Sequence, residues 1–150
     1  MHRKLLPIAL MYVNDQEPIE GRTRLQKMVF LMQQRLNERS LTPLNSRDYE
    51  FIPYDYGPFS KELYDDLDTL ITREFVKDAE EEFAPGKLKY EYYIGPDGSG
   101  FVEDQQTSED AQVILDLARE IKTEYNDVRL SDLIDDVYSE YPEYAENSIY

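Results

Sequence analysis

The chain of 150 residues is 41% hydrophobic, a size and content that suit one domain with a single core. It has no cysteine and one histidine, which excludes disulfides and thiolate metal sites and leaves catalysis by thiol or imidazole without its usual residues. The net charge of −16 disfavours indiscriminate binding of nucleic acid, because an acidic surface repels phosphates at long range.

The charge is unevenly placed along the chain. Residues 1–47 hold eight Lys and Arg against four Asp and Glu, whereas residues 48–150 hold eight against 28. Because excess carboxylates are common in proteins that work in concentrated salt, a halophilic source would also explain this composition. No apolar run approaches the roughly 20 residues of a membrane-spanning helix, and no convincing signal peptide is present, so we expect a soluble cytoplasmic protein.

Two helices are predicted first. Residues 5–13 are apolar enough for a helix, with Pro7 in its opening turn. A second helix begins after Gly21, where Thr23 and Gln26 have the spacing of a capping box. Its buried face follows the three-and-four spacing of Leu25, Met28, Val29, Met32 and Leu36.

A short strand and a third helix follow. The run YEFIPYDYGPFS, residues 49–60, favours an edge strand because it contains Pro53, and Gly57-Pro58 predicts a turn. Ser60 is placed to cap a helix that ends at about residue 73. The apolar stripe of this helix consists of Leu63, Leu67, Leu70 and Ile71.

The next segment predicts a β-hairpin, which we interpret as a wing. Leu88, Tyr90, Tyr92 and Ile94 alternate with polar residues, and turns are predicted at Pro85-Gly86 and at GPDGSG, residues 95–100. Two helices then close the chain. The first ends near Asn126, and the second is predicted to be capped by Ser131 and ended by Pro142.

Two helices, a strand, a third helix and a two-stranded wing are the order of a winged helix-turn-helix. We therefore predict a single α+β domain over residues 1–150, winged helix-turn-helix-like, with extra C-terminal helices. Its core covers about residues 5–105, and the added helices cover about residues 108–142.

The segment from GRTRLQKMVFLMQQR through YEFIPYDYGPFSKELYDDLDTLITREFV resembles the YwgA-like and phage-associated proteins related to the Panacea, or SocA-type, antitoxin domain. In that group a Leu-Gln-Lys helix is followed by a Tyr-Gly-Pro turn and a leucine-rich helix. The resemblance covers roughly residues 5–77, and VYSEYPEYAENS near the end is also similar. It implies a winged-helix-like fold, a role as an antitoxin, proteolytic adaptor or transcription regulator, and no catalytic residue to carry over.

Four cations of the second helix, Arg22, Arg24, Lys27 and Arg35, lie off its apolar stripe and form the candidate docking site for an anion or a partner. Three uses stay open: contact with DNA in an unusual pose, docking of an acidic protein, and pairing with acidic residues of the same chain or a second subunit. We favour pairing, and a solvated helix face is the simplest interpretation.

Reading of the DNA major groove by the third helix is disfavoured. Four carboxylates on this helix, Glu62, Asp65, Asp66 and Asp68, would face a polyanion. The wing offers Lys87 and Lys89, but a run of glutamates lies beside them. Paired carboxylates elsewhere follow from the composition, so we predict no catalytic residue, metal or cofactor.

Tyrosine is abundant, with 13 residues and no tryptophan. Tyr138, Tyr141 and Tyr144 recur at intervals of three around the end of the last helix, and tyrosine is enriched at interfaces. We predict a non-enzymatic regulatory or antitoxin-like module that acts mainly through protein contacts, with a toxin, a protease or a second copy as partner. The alternative is a winged-helix DNA-binding transcription regulator, and a metal-dependent hydrolase ranks third.

Overall fold

The computed structural model describes all 150 residues and confirms the α+β class. The helices are α1 (Leu5–Gln16), α2 (Arg22–Glu38), α3 (Lys61–Thr72), α4 (Pro96–Asp104), α5 (Glu109–Tyr125) and α6 (Leu130–Glu140). The strands are β1 (Ile19–Glu20), β2 (Ile52–Tyr54), β3 (Gly57–Phe59), β4 (Val76–Ala84) and β5 (Lys87–Ile94). A 3₁₀ helix, Pro142–Ala145, follows α6.

The strands form two antiparallel sheets. The larger has the order β1-β5-β4, and its long β4–β5 hairpin turns at Pro85 and Gly86, as predicted. The smaller is a β2–β3 hairpin in which Tyr54 pairs with Gly57. The turn predicted at Gly57-Pro58 is therefore wrong: these residues begin β3, and the chain reverses at residues 55 and 56.

One cluster of 33 buried residues joins the helices to the base of the larger sheet. It packs α1 against α5, and α2 against α5 and α6. The predicted apolar stripes of α2 and α3 lie in it except for Ile71, which is partly buried and packs against the cluster. Three-and-four spacing places the other residues on one helix face: Leu25, Met28, Val29, Met32, Leu36, Leu63, Leu67 and Leu70. None of the helices is both long and apolar enough to cross a membrane.

Three predicted helix boundaries are confirmed. Pro7 lies in the first turn of α1, where proline is tolerated. Ser60 caps α3, since its Oγ accepts a hydrogen bond from the N–H of Leu63 at 3.2 Å. Pro142 follows directly after the C-cap of α6.

Two glutamines of α2 fasten this helix to segments that follow it. Gln26 Nε2 donates to the Ser60 carbonyl oxygen and Gln26 Oε1 accepts from the Ser60 N–H, both at 2.9 Å. Gln33, two turns further along, forms the same pair of bonds with the backbone of Tyr49, at 3.1 and 2.7 Å. All four bonds are buried, so these side chains satisfy backbone groups that would otherwise lack partners.

Two predicted caps are wrong. The amide of Gln26 is bound to a distant backbone segment, so Thr23 and Gln26 form no capping box; Gly21 precedes α2 without a side-chain cap. Ser131 lies inside the first turn of α6, because the carbonyl of Arg129 already accepts the first helical hydrogen bonds.

The predicted turn at residues 95–100 is instead the first half of α4. Pro96 occupies the first turn of this helix, a position that proline favours. The glycines permit close backbone packing: a Cβ on Gly98 would lie 2.1 Å from the carbonyl oxygen of Phe75. The pattern Gly-x-x-Gly therefore reflects contact with a neighbouring strand end here, and a helix forms despite its low intrinsic propensity.

Candidate partner-binding surface

A cleft of about 640 Å³ lies between the amino-terminal end of α2 and the β4–β5 hairpin. We call it the hairpin cleft. Arg22 and Arg24 lie at its α2 side, and its apolar wall is formed by Tyr64, Phe83, Leu88, Tyr90 and Leu130. Residues from α2, α3, the hairpin and α6 thus meet at one concave surface.

The apolar wall is unusually accessible. Phe83 is 60% exposed, Leu88 49% and Tyr90 48%. Of the alternating residues of β5, only Tyr92 and Ile94 at the base are buried, because the outer half of the hairpin extends beyond the core. An exposed apolar surface in a concave setting is typical of an interaction site.

Both signs of charge border the cleft: Glu20 and Asp78 line it together with Arg22, Arg24 and Lys89. Asp78 and Glu80 to Glu82 are exposed along β4. Of the two wing lysines proposed as site residues, Lys89 forms ion pairs with Glu91 at 3.2 Å and Glu81 at 3.8 Å, whereas Lys87 is exposed at the hairpin turn. Strand β4 therefore adds exposed carboxylates beside the apolar wall, whereas the lining of the cleft itself carries both signs of charge.

Arg22 joins α2 to both α3 and β5. Its Nη2 donates to Asp68 Oδ1 and its Nε to the Tyr92 hydroxyl, each at 2.7 Å, and its guanidinium lies 4.2 Å from the ring centroid of Tyr64. Burial alone would lower the pKa of Arg22, but the bonds to Asp68 and Tyr92 raise it above the ordinary value. Its Nη1 is buried and has no hydrogen-bond partner.

Two of the other candidate cations are engaged elsewhere. Arg24 is buried, and its Nη1 donates to the carbonyl oxygen of Tyr125 at 2.6 Å. Arg35 forms two bonds to the carboxylate of Glu140, at 3.0 and 3.2 Å, which tie α2 to α6. The structure therefore separates the predicted group of four, and the solvated-face interpretation is wrong for the buried Arg24.

Lys27 is also buried, with 3% of its surface exposed, which again contradicts a solvated face. Its Nζ donates to the carbonyl oxygen of Pro58 at 3.1 Å. Burial lowers the pKa of Lys27 to about 8, because the charged ammonium loses hydration. Together with the neighbouring bonds of Gln26 to Ser60, this contact holds β3 against α2.

A second cavity of about 210 Å³ adjoins the hairpin cleft, and we call it the tyrosine pocket. Its cationic lining residues are Arg22 and Lys27. Its aromatic lining residues are Tyr54, Tyr56, Phe59 and Tyr64. Of the four predicted docking cations, Arg22 and Lys27 thus meet at the tyrosine pocket, Arg22 and Arg24 meet at the hairpin cleft, and Arg35 lines neither.

The three C-terminal tyrosines contact residues of their own chain. Tyr141 is buried, and both it and Tyr144 pack edge-on against Phe30, at centroid distances of 5.2 and 4.7 Å. The Tyr138 hydroxyl donates to Ser148 Oγ at 2.6 Å. The interface role of these tyrosines stays a prediction.

Sequence reasoning did not identify Phe83, Leu88, Tyr64 or Leu130 as site residues. The alternation of β5 was the only signal for Leu88, and it predicted a strand of the hairpin without indicating a binding surface. No group of three or more His, Asp or Glu side chains is arranged to hold a metal ion.

A family model described as antitoxin SocA-like, Panacea domain, matches residues 25–147. The matched region runs from α2 through the 3₁₀ helix and includes the β4–β5 hairpin and Lys27. Arg22 and Arg24 lie just before it. A comparison with curated proteins finds no match.

Proposed function

The chain belongs to the antitoxin SocA-like, Panacea domain family, and on this premise we propose that it is an antitoxin-like regulatory protein whose hairpin cleft binds a protein partner. A toxin is the partner that family membership suggests. Membership of an antitoxin family also favours a non-enzymatic role. The observation that carries the proposal is the exposed apolar wall of Phe83, Leu88 and Tyr90 in an otherwise highly charged chain.

Exposed apolar side chains gain free energy when a partner removes them from water, by about 25 cal/mol per Å². Grouped in a concave surface, they can receive the aromatic or aliphatic anchor that dominates many interfaces. Tyr64 and Leu130 extend the same wall from α3 and α6. The cleft is thus suited to an apolar anchor from a protein, which a phosphate backbone does not offer.

The charge of the chain suggests the chemistry of the rest of the partner surface. With a net charge of −16 and exposed carboxylates along β4, complementarity favours a partner with basic residues around its apolar anchor. Opposite charges on the two surfaces accelerate association, and the carboxylates of this chain discriminate against acidic proteins. We therefore propose a basic protein as the occupant of the hairpin cleft.

We also propose that the fold is winged-helix-like. The elements follow the order α1-β1-α2-α3-β4-β5, with the β2–β3 hairpin inserted before α3, and β1 pairs with β5 in the order β1-β5-β4. The β4–β5 hairpin would then be the wing. A winged-helix fold does not require DNA binding, since function depends on the site.

The exposed face of α3 favours a protein partner over DNA. Asp65 and Asp68 are exposed on this helix, and Asp68 binds Arg22 on one side. A recognition helix in a major groove needs donors for phosphates and base edges. The alternative of a DNA-binding regulator therefore receives no support from this helix.

Co-expression with the product of the adjacent gene tests the proposal. The wild-type chain should co-purify with this protein, whereas the double variant Phe83→Ser, Leu88→Ser should weaken the complex about ten-fold or more, as loss of an apolar anchor does. Titration calorimetry on the purified complex measures the change. Circular dichroism should show an unchanged fold, because both side chains project beyond the core.

Leu41→Ser is the matched control, since Leu41 is an exposed leucine outside the cleft. It should leave the affinity unchanged. Equal affinities of the double variant and the control would contradict docking at the hairpin cleft. A variant that instead loses self-association would identify a second copy of the chain as the occupant, and salt-sensitive retention on DNA would support the regulator.

A further inference from the structure

We infer that the tyrosine pocket binds the side-chain carboxylate of an aspartate or glutamate presented by a protein partner. The inference starts from Lys27, whose side chain lines this pocket and whose ammonium lies at the contact between α2 and β3. It goes beyond the hairpin cleft by assigning a separate pocket and a ligand chemistry. The pocket and its ligand chemistry are independent of the function proposed above, and only the identity of the protein that carries the carboxylate rests on it.

Lys27 is a buried cation without an acidic partner. Its Nζ has one hydrogen-bond acceptor, a neutral carbonyl oxygen, and no carboxylate lies within ion-pair distance. An ammonium carries three donors, and removing it from water without a counter-charge is costly. An incoming carboxylate would supply both the missing charge and a second acceptor.

A second cationic residue, Arg22, lines the same pocket. The Nη1 of Arg22 is buried and lacks a hydrogen-bond partner, although Nε and Nη2 of this guanidinium are both bonded. Arg22 and Thr23 open α2, where the first backbone N–H groups have no partner within the helix. The pocket is therefore lined by a lysine that has no ion-pair partner, by an arginine with one unpaired N–H group, and by the first turn of α2.

The composition of the lining also indicates an anion. The chain contains 32 Asp and Glu, yet none of the nine residues that line the tyrosine pocket is acidic. Aromatic rings form much of its wall, and an ion pair beside such groups of low polarity is screened less than one in open water. A volume of about 210 Å³ accommodates one acidic side chain.

The position of the pocket favours a residue within a docked protein. Arg22, Thr23 and Tyr64 line both the tyrosine pocket and the hairpin cleft. A partner with an apolar anchor in the hairpin cleft would thus place neighbouring side chains at the pocket. This adjacency favours an acidic side chain over a free inorganic anion.

The test uses the wild-type chain and two blocked amino acids. N-acetylglutamate N-methylamide carries one side-chain carboxylate, and N-acetylglutamine N-methylamide is its neutral isostere. In NMR titrations we expect the glutamate compound to bind saturably, with a dissociation constant of about 1 mM as expected for so small a ligand. It should shift the resonances of Arg22, Lys27 and Gly57, and the glutamine compound should not.

The Lys27 ¹³Cε resonance gives a second readout. A bound carboxylate should move the pKa of Lys27 upward from about 8, because a neighbouring negative charge stabilises the ammonium. Lys27→Met should abolish binding. Lys122→Met is the matched control, since Lys122 is equally buried with a pKa of about 8 but donates to the Val13 carbonyl away from the pocket.

Equal binding of the two compounds, saturation by neither, or unchanged binding by a folded Lys27→Met variant would overturn the assignment. Tighter binding of inorganic phosphate at the same resonances would also overturn it, in favour of a phosphate site. If Lys27→Met does not fold, the assignment is tested by the wild-type ¹³Cε titration alone, in which an unchanged pKa of Lys27 would overturn it. If the glutamate compound does not bind but the chain still binds its partner through the hairpin cleft, only the assignment of the tyrosine pocket fails. If the glutamate compound binds but the double variant keeps its full affinity for the partner, only docking at the hairpin cleft fails.

Discussion

Gln26 and Ser60 exchange two buried hydrogen bonds of 2.9 Å between one side-chain amide and one backbone unit. Beside them, Lys27 donates to the carbonyl of Pro58. The Leu-Gln-Lys and Tyr-Gly-Pro motifs, which are distant in sequence, are therefore the two halves of one contact. This contact fixes β3 and the start of α3 against α2.

Gln26→Ala should destabilise the chain by about 2–4 kcal/mol, because it leaves a buried N–H and a buried carbonyl of Ser60 without partners. Urea denaturation followed by circular dichroism measures this change in the free energy of unfolding. Gln34→Ala on the same helix, at a partly exposed position, should cost less than about 0.5 kcal/mol. Similar costs for the two variants would contradict the role of Gln26.

Gly57→Ala should cost at least about 1–2 kcal/mol, since Gly57 has a φ of +102° that L-residues rarely adopt. The added Cβ would also lie 2.9 Å from Cε1 of Tyr138. Gly100→Ala is the control: it lies in α4 with open space around it and should stabilise by about 0.5–1 kcal/mol. Thermal melts that rank the two variants in the opposite order would refute this explanation of the Tyr-Gly-Pro motif.

The free energy of unfolding should rise with pH above about 8. Burial lowers the pKa of Lys27 to about 8 from an ordinary value of 10.5, so between these values the unfolded chain binds more protons than the folded chain. Lys122 acts in the same direction. Each lysine contributes at most about 1.4 kcal/mol per pH unit.

Urea denaturation of the wild type and Lys27→Met between pH 7 and 9.5 isolates this contribution. Higher pH is avoided because burial raises the pKa of Tyr49, so the unfolded chain loses that proton first and the trend reverses. The wild type should gain stability relative to Lys27→Met as the pH rises. Parallel curves for the two proteins would show that Lys27 is not titrating in this range.

Salt should stabilise the chain. Screening reduces the mutual repulsion of carboxylates at a net charge of −16, and exposed ion pairs such as Lys61 with Asp65 lose little when they are screened. We expect the midpoint of thermal unfolding to rise between low and molar potassium chloride. A midpoint independent of salt would indicate that the acidic residues are already compensated, and it would weaken the proposed halophilic source.

Local patterns in the sequence were sufficient to predict α1, α2, α3, α5 and α6 and several of their ends, whereas α4 was predicted as a turn. The stripes of α2 and α3 and the cap at Ser60 depend on residues three or four positions apart, so the local pattern contains the information. The β4–β5 hairpin was predictable for the same reason, since strand alternation and the Pro85-Gly86 turn are local.

The choice of which polar side chains are buried and which apolar ones are exposed depends on the tertiary structure. Gln26 meets Ser60 across 34 positions and Arg24 meets Tyr125 across 101, and no local pattern encodes such pairs. Leu88 is exposed because the hairpin extends beyond the core. Its alternation with polar residues along β5 is nevertheless the pattern of a strand with one buried face. Burial depends on which segments the fold brings together, and for this chain that decided both the hairpin cleft and the tyrosine pocket.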